Sequence, residues 1–211
     1  MTLIDISVPL TNRTPEWPGD TPFSCRWTWE IAAGDSVNVS AMTLSPHVGT
    51  HADAPVHVQN GWSGAEALPL GAFLGRARVV GVPGQTTRLE LADLGLGERD
   101  PVPARLLLRT GRTVATGTFP EEWPALSESC ARSLVAGGLR LLGVDAPSVD
   151  PRESRTLDVH RILFGGGACL LENLDLREAR DGDYDLVAAP LRVEGLDAAP
   201  VRAVLRPFAA S

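Results

Sequence analysis

The sequence contains no lysine, and its 19 basic residues are all arginines. Without lysine the chain has neither the phosphate-binding lysine of a P-loop nor a side-chain amine that could form a Schiff base. The arginines are scattered along the sequence, and the formal net charge is −7. Because nucleic-acid binding requires a basic surface that neutralises phosphates, we expect no nucleic-acid partner.

Cysteine is scarce, and long apolar runs are missing. Cys25, Cys130 and Cys169 are far apart and form no Cys-x-x-Cys pair, which argues against a disulfide framework and against a cysteine-ligated zinc site. No apolar run approaches the roughly 18 residues of a membrane span, and Asp5 falls where a signal peptide would carry basic and then apolar residues. We therefore expect a cytoplasmic protein without a membrane partner.

Glycine and proline are abundant, with 21 and 17 residues, and they divide the chain into short segments. Periodicity predicts mostly strands, at residues 3–8, 25–31, 37–44, 76–82, 105–109, 139–144, 168–171, 186–191 and 201–206. Helices are predicted at residues 88–94, 127–136 and 156–164. The alternation of helix and strand after residue 127 is typical of crossover connections. We predict one α/β domain over residues 1–211, with a mixed β-sheet core flanked by helices.

Three of the four histidines lie within residues 47–57. A glycine, a proline and several β-branched residues make a helix unfavourable there, so His47 and His51 are not the i, i+4 pair of a helical zinc site. In an extended chain, alternate side chains point to one face. His47, His51, Asp53 and His57 all stand at odd positions, and one site could therefore collect them.

The spacing of the first two histidines requires a bend in the chain. In a straight strand their Cα atoms would be roughly 13 Å apart, which is too far for two ligands of one ion. Gly49 lies midway and can adopt the backbone conformation that a bulge or turn requires. Imidazoles together with a carboxylate suit zinc, manganese or iron, so we predict a metal site here rather than isolated surface histidines.

Two later residues are candidates for a second metal ion. His160 lies in a predicted helix, where a lone histidine is more often a surface residue. Glu172 ends the apolar run 168–171, and a carboxylate at the end of a buried strand must be paired, protonated or bound to metal. Together these two residues could complete a second site, with Asp53 bridging the two ions.

These motifs resemble those of the cyclase-like metal-dependent hydrolases. The resemblance rests on segments 5–10, 14–22, 45–55 and 143–145, followed by His160 and Glu172, and it spans nearly the whole chain. It implies a swivelling β/α/β fold around a mixed sheet, a homodimer, and two zinc ions, for which manganese is an alternative. The residues that match the metal ligands of the family are His47, His51, Asp53, His160 and Glu172.

The resemblance also implies a reaction. Trp-Pro-Gly-Asp-Thr-Pro at residues 17–22 favours the formamidases of this family over its isatin hydrolases. The implied small-molecule substrate is an aryl formamide, N-formyl-L-kynurenine, which is hydrolysed to L-kynurenine and formate in tryptophan degradation. The resemblance places Trp17 against the aromatic ring of that substrate. The alternatives are the ring opening of isatin and the hydrolysis of another cyclic amide or aryl formamide.

His57 distinguishes an enzyme from a binding protein. Five groups already suffice for two ions, and a structural metal site has no use for a further imidazole on the same face. A histidine can take a proton from the nucleophile and return it to the leaving amine, so we predict that His57 is catalytic. The non-enzymatic alternatives are a metal-dependent small-molecule binding protein and a dimer in which the metals only hold loops together.

Overall fold

The most apolar segments of the chain form the centre of a seven-stranded sheet. The computed structural model of this protein describes residues 3–84 and 86–208, so residues 1 and 211, the ends of the predicted domain, lie outside the described residues. The strands are β1 (Ile4–Asp5), β2 (Ser24–Trp29), β3 (Val39–Thr43), β4 (His51–Asp53), β5 (Leu74–Gly81), β6 (Arg88–Leu89), β7 (Arg105–Arg109), β8 (Ala125–Leu126), β9 (Leu141–Val144), β10 (Cys169–Leu171), β11 (Gly182–Val187), β12 (Ala198–Pro200) and β13 (Val204–Pro207). The α-helices are α1 (Glu128–Ala136) and α2 (Asp158–Gly165).

The large sheet contains both parallel and antiparallel pairs. Its order is β1, β13, β11, β5, β7, β9, β10. Strands β5, β7, β9 and β10 run parallel, whereas β11 is antiparallel to β5 and to β13. Leu106, Leu107 and Leu108 of β7 are all fully buried, as expected for a parallel strand that is covered on both faces. The predicted mixed α/β fold is confirmed.

Both α-helices pack on one face of this sheet, where their apolar residues share a core with β7 and β9. Ser127 caps α1 by accepting a hydrogen bond from the Cys130 N–H, and α1 ends at Gly137, close to the predicted bounds. The buried face of α2 includes His160 among apolar residues, so His160 is not the surface residue that a lone helical histidine more often is. No helix within residues 3–84 or 86–208 is long and apolar enough to cross a membrane.

Strand β4 lies beside the end of β10. The backbone N–H groups of His51 and Glu172 each donate a hydrogen bond to the other's carbonyl, at 3.3 and 3.0 Å. Before β4 the chain turns at Gly49, whose φ is +69°. The positive φ favours glycine, and a Cβ atom there would lie 2.7 Å from Leu10 Cδ2, so that the leucine side chain would have to move. This turn is the predicted bend between the first two histidines.

The hairpin of β2 and β3 stands apart from the sheet, and both strands are exposed along their whole length. Its register pairs Cys25 with Met42, while Trp29 lies opposite Val39 after a bulge. Val39 and Met42 are three residues apart on β3 and point to opposite faces, so the hairpin carries exposed apolar side chains on both of its faces.

One predicted helix, residues 88–94, is wrong. Arg88–Leu89 form β6, which pairs with β8, and only Leu91–Leu94 form a single 3₁₀ turn. A capping box begins this turn and Gly95, with φ +67°, ends it, which leaves no room for a longer helix. The apolar spacing of residues 88–94 instead reflects buried leucines, of which β6 and the 3₁₀ turn each contribute one.

Two late strands are displaced from their predicted positions. The strand expected at 186–191 is Gly182–Val187, and the one expected at 201–206 is Val204–Pro207. Strand β11 begins among polar residues because charged pairs cross to β5, where Arg78 Nε donates to Asp183 Oδ1 at 2.9 Å. An apolar run alone does not reveal such a strand start.

Candidate metal centre

The structure brings together the five side chains proposed as metal ligands. Asp53 Oδ1 lies 3.1 Å from His47 Nδ1 and 3.2 Å from His51 Nε2. The other oxygen of this carboxylate, Oδ2, lies 3.2 Å from His160 Nε2. Glu172 Oε1 is 3.3 Å from the same nitrogen of His160. Asp53 therefore places one carboxylate oxygen beside His47 and His51 and the other beside His160.

Three different elements deliver these side chains. His51 and Asp53 occupy alternate positions of β4 and point into the site, while the alanine between them packs into the core on the other side. Helix α2 presents His160, and Glu172 directly follows β10. His47 arrives through the turn at Gly49. The site thus sits where β4, α2 and the end of β10 meet.

One atom of the cluster lacks a hydrogen-bond donor. Among residues 3–84 and 86–208, Asp53 Oδ1 is buried and has no donor in hydrogen-bond geometry, although two imidazole nitrogens lie close to it. A buried carboxylate oxygen without a partner is costly, and a cation between it and the imidazoles would satisfy it. Candidate ligand atoms form two groups that share Asp53, one with His51 and Glu172, the other with His47 and His57. These donors fit a divalent transition metal.

The electrostatics favour positive charge in this pocket. Burial raises the pKa of Asp53, but the charges of His47 and His51 outweigh it and hold that pKa well below its usual range. Burial lowers the pKa of His47, yet Asp53 and Asp197 raise it to about 10. The positive charge can be carried by protons on the imidazoles or by a divalent cation that displaces them.

Two carboxylates that the sequence analysis missed orient the imidazoles. Asp150 Oδ2 accepts a hydrogen bond from His160 Nδ1 at 2.6 Å. Asp197 Oδ2 lies 3.0 Å from His47 Nε2. In each case the carboxylate can hold a proton on the bonded nitrogen, and the other ring nitrogen, which faces Asp53, can bind a cation once its own proton is displaced. Neither carboxylate lies next to a histidine in the sequence, so no spacing marks it.

The cluster opens into a pocket of about 510 Å³. His57 lines this pocket from a 3₁₀ turn, Pro55–His57, rather than from an extended strand. Trp17 lies on the rim, where its ring meets Phe119 edge-on with centroids 5.5 Å apart. All seven side chains predicted for the site therefore line one pocket or lie directly beneath it.

Residues 4–151 match the family model described as putative cyclase. This chain belongs to the cyclase family. Within it, a curated kynurenine formamidase from Bordetella avium (strain 197N) is 42% identical, over 97% of this chain and 97% of the relative. The family resemblance predicted from the motifs is confirmed.

Two solved structures share the fold of this chain. A protein from Bacillus stearothermophilus described as a predicted metal-dependent hydrolase is 26% identical, covers 97% of both chains and has a TM-score of 0.81. Isatin hydrolase A from Labrenzia aggregata is 21% identical over 97% of this chain and 93% of its own, with a TM-score of 0.80. At that identity the likeness to the isatin hydrolase shows the fold alone.

The shared position of Asp53 leads to a prediction about metal content. We expect Asp53→Asn to weaken zinc binding by more than about 100-fold, since removing a ligand should exceed the 10- to 100-fold typical of outer-shell changes. The measurement is zinc per chain by mass spectrometry after loading and desalting. Asp175→Asn is the matched control, because Asp175 bonds Arg177 instead of the cluster, and it should keep its zinc. Equal zinc in Asp53→Asn and in the unmodified protein would contradict the bridging role.

Proposed function

We propose that this cyclase-family protein is a metal-dependent hydrolase that converts N-formyl-L-kynurenine to L-kynurenine and formate. The observation that carries the proposal is the buried Asp53 carboxylate, which faces imidazole nitrogens on both sides beneath an open pocket. The 42% identity to a kynurenine formamidase supports this substrate. Ring opening of isatin is the second candidate, and it has the weaker support of a 21% identical isatin hydrolase.

In this proposal two divalent ions, zinc or alternatively manganese, are held by His47, His51, Asp53, His160 and Glu172. When bound, such an ion lowers the pKa of water to about 7 and polarises the formyl oxygen. The chain's own part is to orient the five ligands so that their metal-binding atoms face the centre. The bonds from His160 to Asp150 and from His51 Nδ1 to the Gly49 carbonyl support this role, because they fix which nitrogen faces inward.

His57 serves as the proton-transfer residue. Its Nδ1 lies 3.3 Å from Asp197 Oδ2, which leaves Nε2 without the proton and able to accept one. Expulsion of the aryl amine requires a proton on the leaving nitrogen, and His57 can take it from the attacking water and return it there. Because His57 is also near enough to His47 and Asp53 to be a ligand, its role needs a direct test.

Trp17 provides an aromatic surface for the kynurenine ring. Its contacts with Phe119 and with Trp123, whose ring centroid is 5.8 Å away, keep the indole on the rim of the pocket. Stacking against an aromatic substrate stabilises the complex by about 1 kcal/mol. Trp17 therefore contributes to binding rather than to bond cleavage.

We also propose a cytoplasmic homodimer. The three cysteines within the described residues are unpaired, as suits a reducing compartment. The β2–β3 hairpin leaves Trp27 and Trp29 more than half exposed, at 54% and 53%. Exposed aromatic side chains of this kind are typical of a protein interface, and a two-fold axis would bury the same hairpin of a second copy.

The first test compares substrates on zinc-loaded protein. We expect kcat/KM for N-formyl-L-kynurenine to exceed that for isatin by about 100-fold or more, because the pocket must be complementary to one transition state. Formate release and isatin absorbance report the two reactions. Protein treated with a chelator should be inactive and should recover when zinc is returned. A preference for isatin would overturn the substrate assignment.

The second test removes the proton-transfer group. His57→Gln should lower kcat by about 10² to 10⁴-fold, since that is the usual contribution of general acid–base catalysis. Zinc content is measured on the same sample and should be unchanged. Normal kcat with normal zinc would eliminate the role, and loss of zinc together with activity would identify His57 as a ligand instead.

The third test concerns the hairpin. Light scattering should give twice the mass of the chain for the unmodified protein and the mass of a single chain for the double variant Trp27→Ser, Trp29→Ser. Arg26→Ser is the control, because Arg26 is an exposed residue of the same strand and its replacement removes no aromatic surface. An unmodified protein with the mass of one chain, or a double variant that remains a dimer, would reject this interface.

A further inference from the structure

One carboxylate oxygen contacts two histidines with different proposed roles, one as a metal ligand and the other in proton transfer. Asp197 Oδ2 lies 3.0 Å from His47 Nε2 and 3.3 Å from His57 Nδ1. The two rings are close neighbours, with centroids 4.5 Å apart. A carboxylate only accepts hydrogen bonds, so it can hold a proton on each of these nitrogens.

We propose that Asp197 is a positioning residue that fixes the tautomers of His47 and His57 together. With the proton of His47 held on Nε2, its Nδ1 presents a lone pair toward Asp53 and the metal centre. With the proton of His57 held on Nδ1, its Nε2 is free to accept a proton from the reacting water. The role of Asp197 at His57 rests on the proposed function. Its role at His47 concerns metal binding alone.

The backbone around Asp197 is fixed by the same strand that carries the metal ligands. Ala198, the next residue, pairs with Asp53 in the β12–β4 ladder. The Asp197 carbonyl accepts a hydrogen bond from the Ala54 N–H at 2.8 Å. The loop before it is held by Glu66, whose Oε2 accepts from the Gly195 N–H at 3.1 Å. The backbone of Asp197 is therefore anchored to β4, the strand that carries His51 and Asp53.

The alternative is that Asp197 forms an ordinary surface ion pair. Its side chain is 46% exposed, and exposed ion pairs contribute little to stability because water screens them. Loss of such a pair would leave both metal affinity and turnover almost unchanged. Loss of an orienting group changes both, because outer-shell partners of ligating histidines typically affect metal affinity by 10- to 100-fold. The two interpretations therefore predict different measurements.

The first experiment measures zinc affinity, which does not depend on activity. In competition with a chromophoric chelator, Asp197→Asn should bind zinc about 10-fold more weakly than the unmodified protein, and Asp197→Ala more weakly still. Glu66→Ala is the control, because it loosens the same loop without removing the carboxylate. Unchanged affinity in both Asp197 variants, or an equal loss in Glu66→Ala, would overturn the proposal.

The second experiment measures turnover at saturating zinc. Asp197→Asn should lower kcat by about 10- to 100-fold, with KM within about 2-fold, because proton transfer and not binding is impaired. In the His57→Gln background the same substitution should have almost no further effect on kcat, since the residue through which it acts is gone. An equal loss of kcat in both backgrounds would show that Asp197 does not act through His57. If the unmodified protein has no formamidase activity, the proposed function fails, while the zinc measurement still tests the role at His47.

Discussion

The architecture of this protein depends on the burial of one charged side chain. Asp53 is completely buried, and an isolated carboxylate in such a position would be strongly destabilising. Its charge is balanced by imidazoles from a turn, a strand and a helix, and each imidazole is held in turn by a carboxylate or a carbonyl. Strand β4, helix α2 and the end of β10 meet at this carboxylate. The same balance makes the cavity attractive to a cation.

Much of the fold was predictable because its strands are apolar and short, and because Gly and Pro mark their ends. Strand β7 was predicted at its observed bounds, and α1 within one residue. The errors arose where local pattern competes with long-range pairing. Residues 88–94 look helical, yet the pairing of β6 with β8 takes the first part into a strand. Strand β11 begins at residues whose partners lie about a hundred positions earlier, which no local window contains.

In the candidate metal centre, the proposed ligands were predictable from the sequence, whereas the carboxylates that orient them were not. Three of the histidines and Asp53 stand close together in sequence. Their alternate positions along an extended chain, together with a turn at a glycine, suffice to bring them to one face. Glu172 could be noticed because a charge ended an apolar strand. Asp150 and Asp197 could not, because an aspartate in a loop is ordinary and its significance comes from the neighbour that folding gives it. For Asp197 that neighbour is 150 residues away, at His47, and it is reached only through the pairing of β12 with β4.

The contact between His160 and Asp53 joins residues 107 positions apart. An ion held by both would act as a cross-link that closes this long loop, and it would bind the folded chain in preference to the unfolded one. Folding and metal loading are then a single equilibrium, in which the metal supply sets the fraction of chains that resist proteolysis. A cell that runs short of the metal would lose this protein through degradation as well as through inactivity. Enzyme abundance would then follow metal availability without any dedicated regulator.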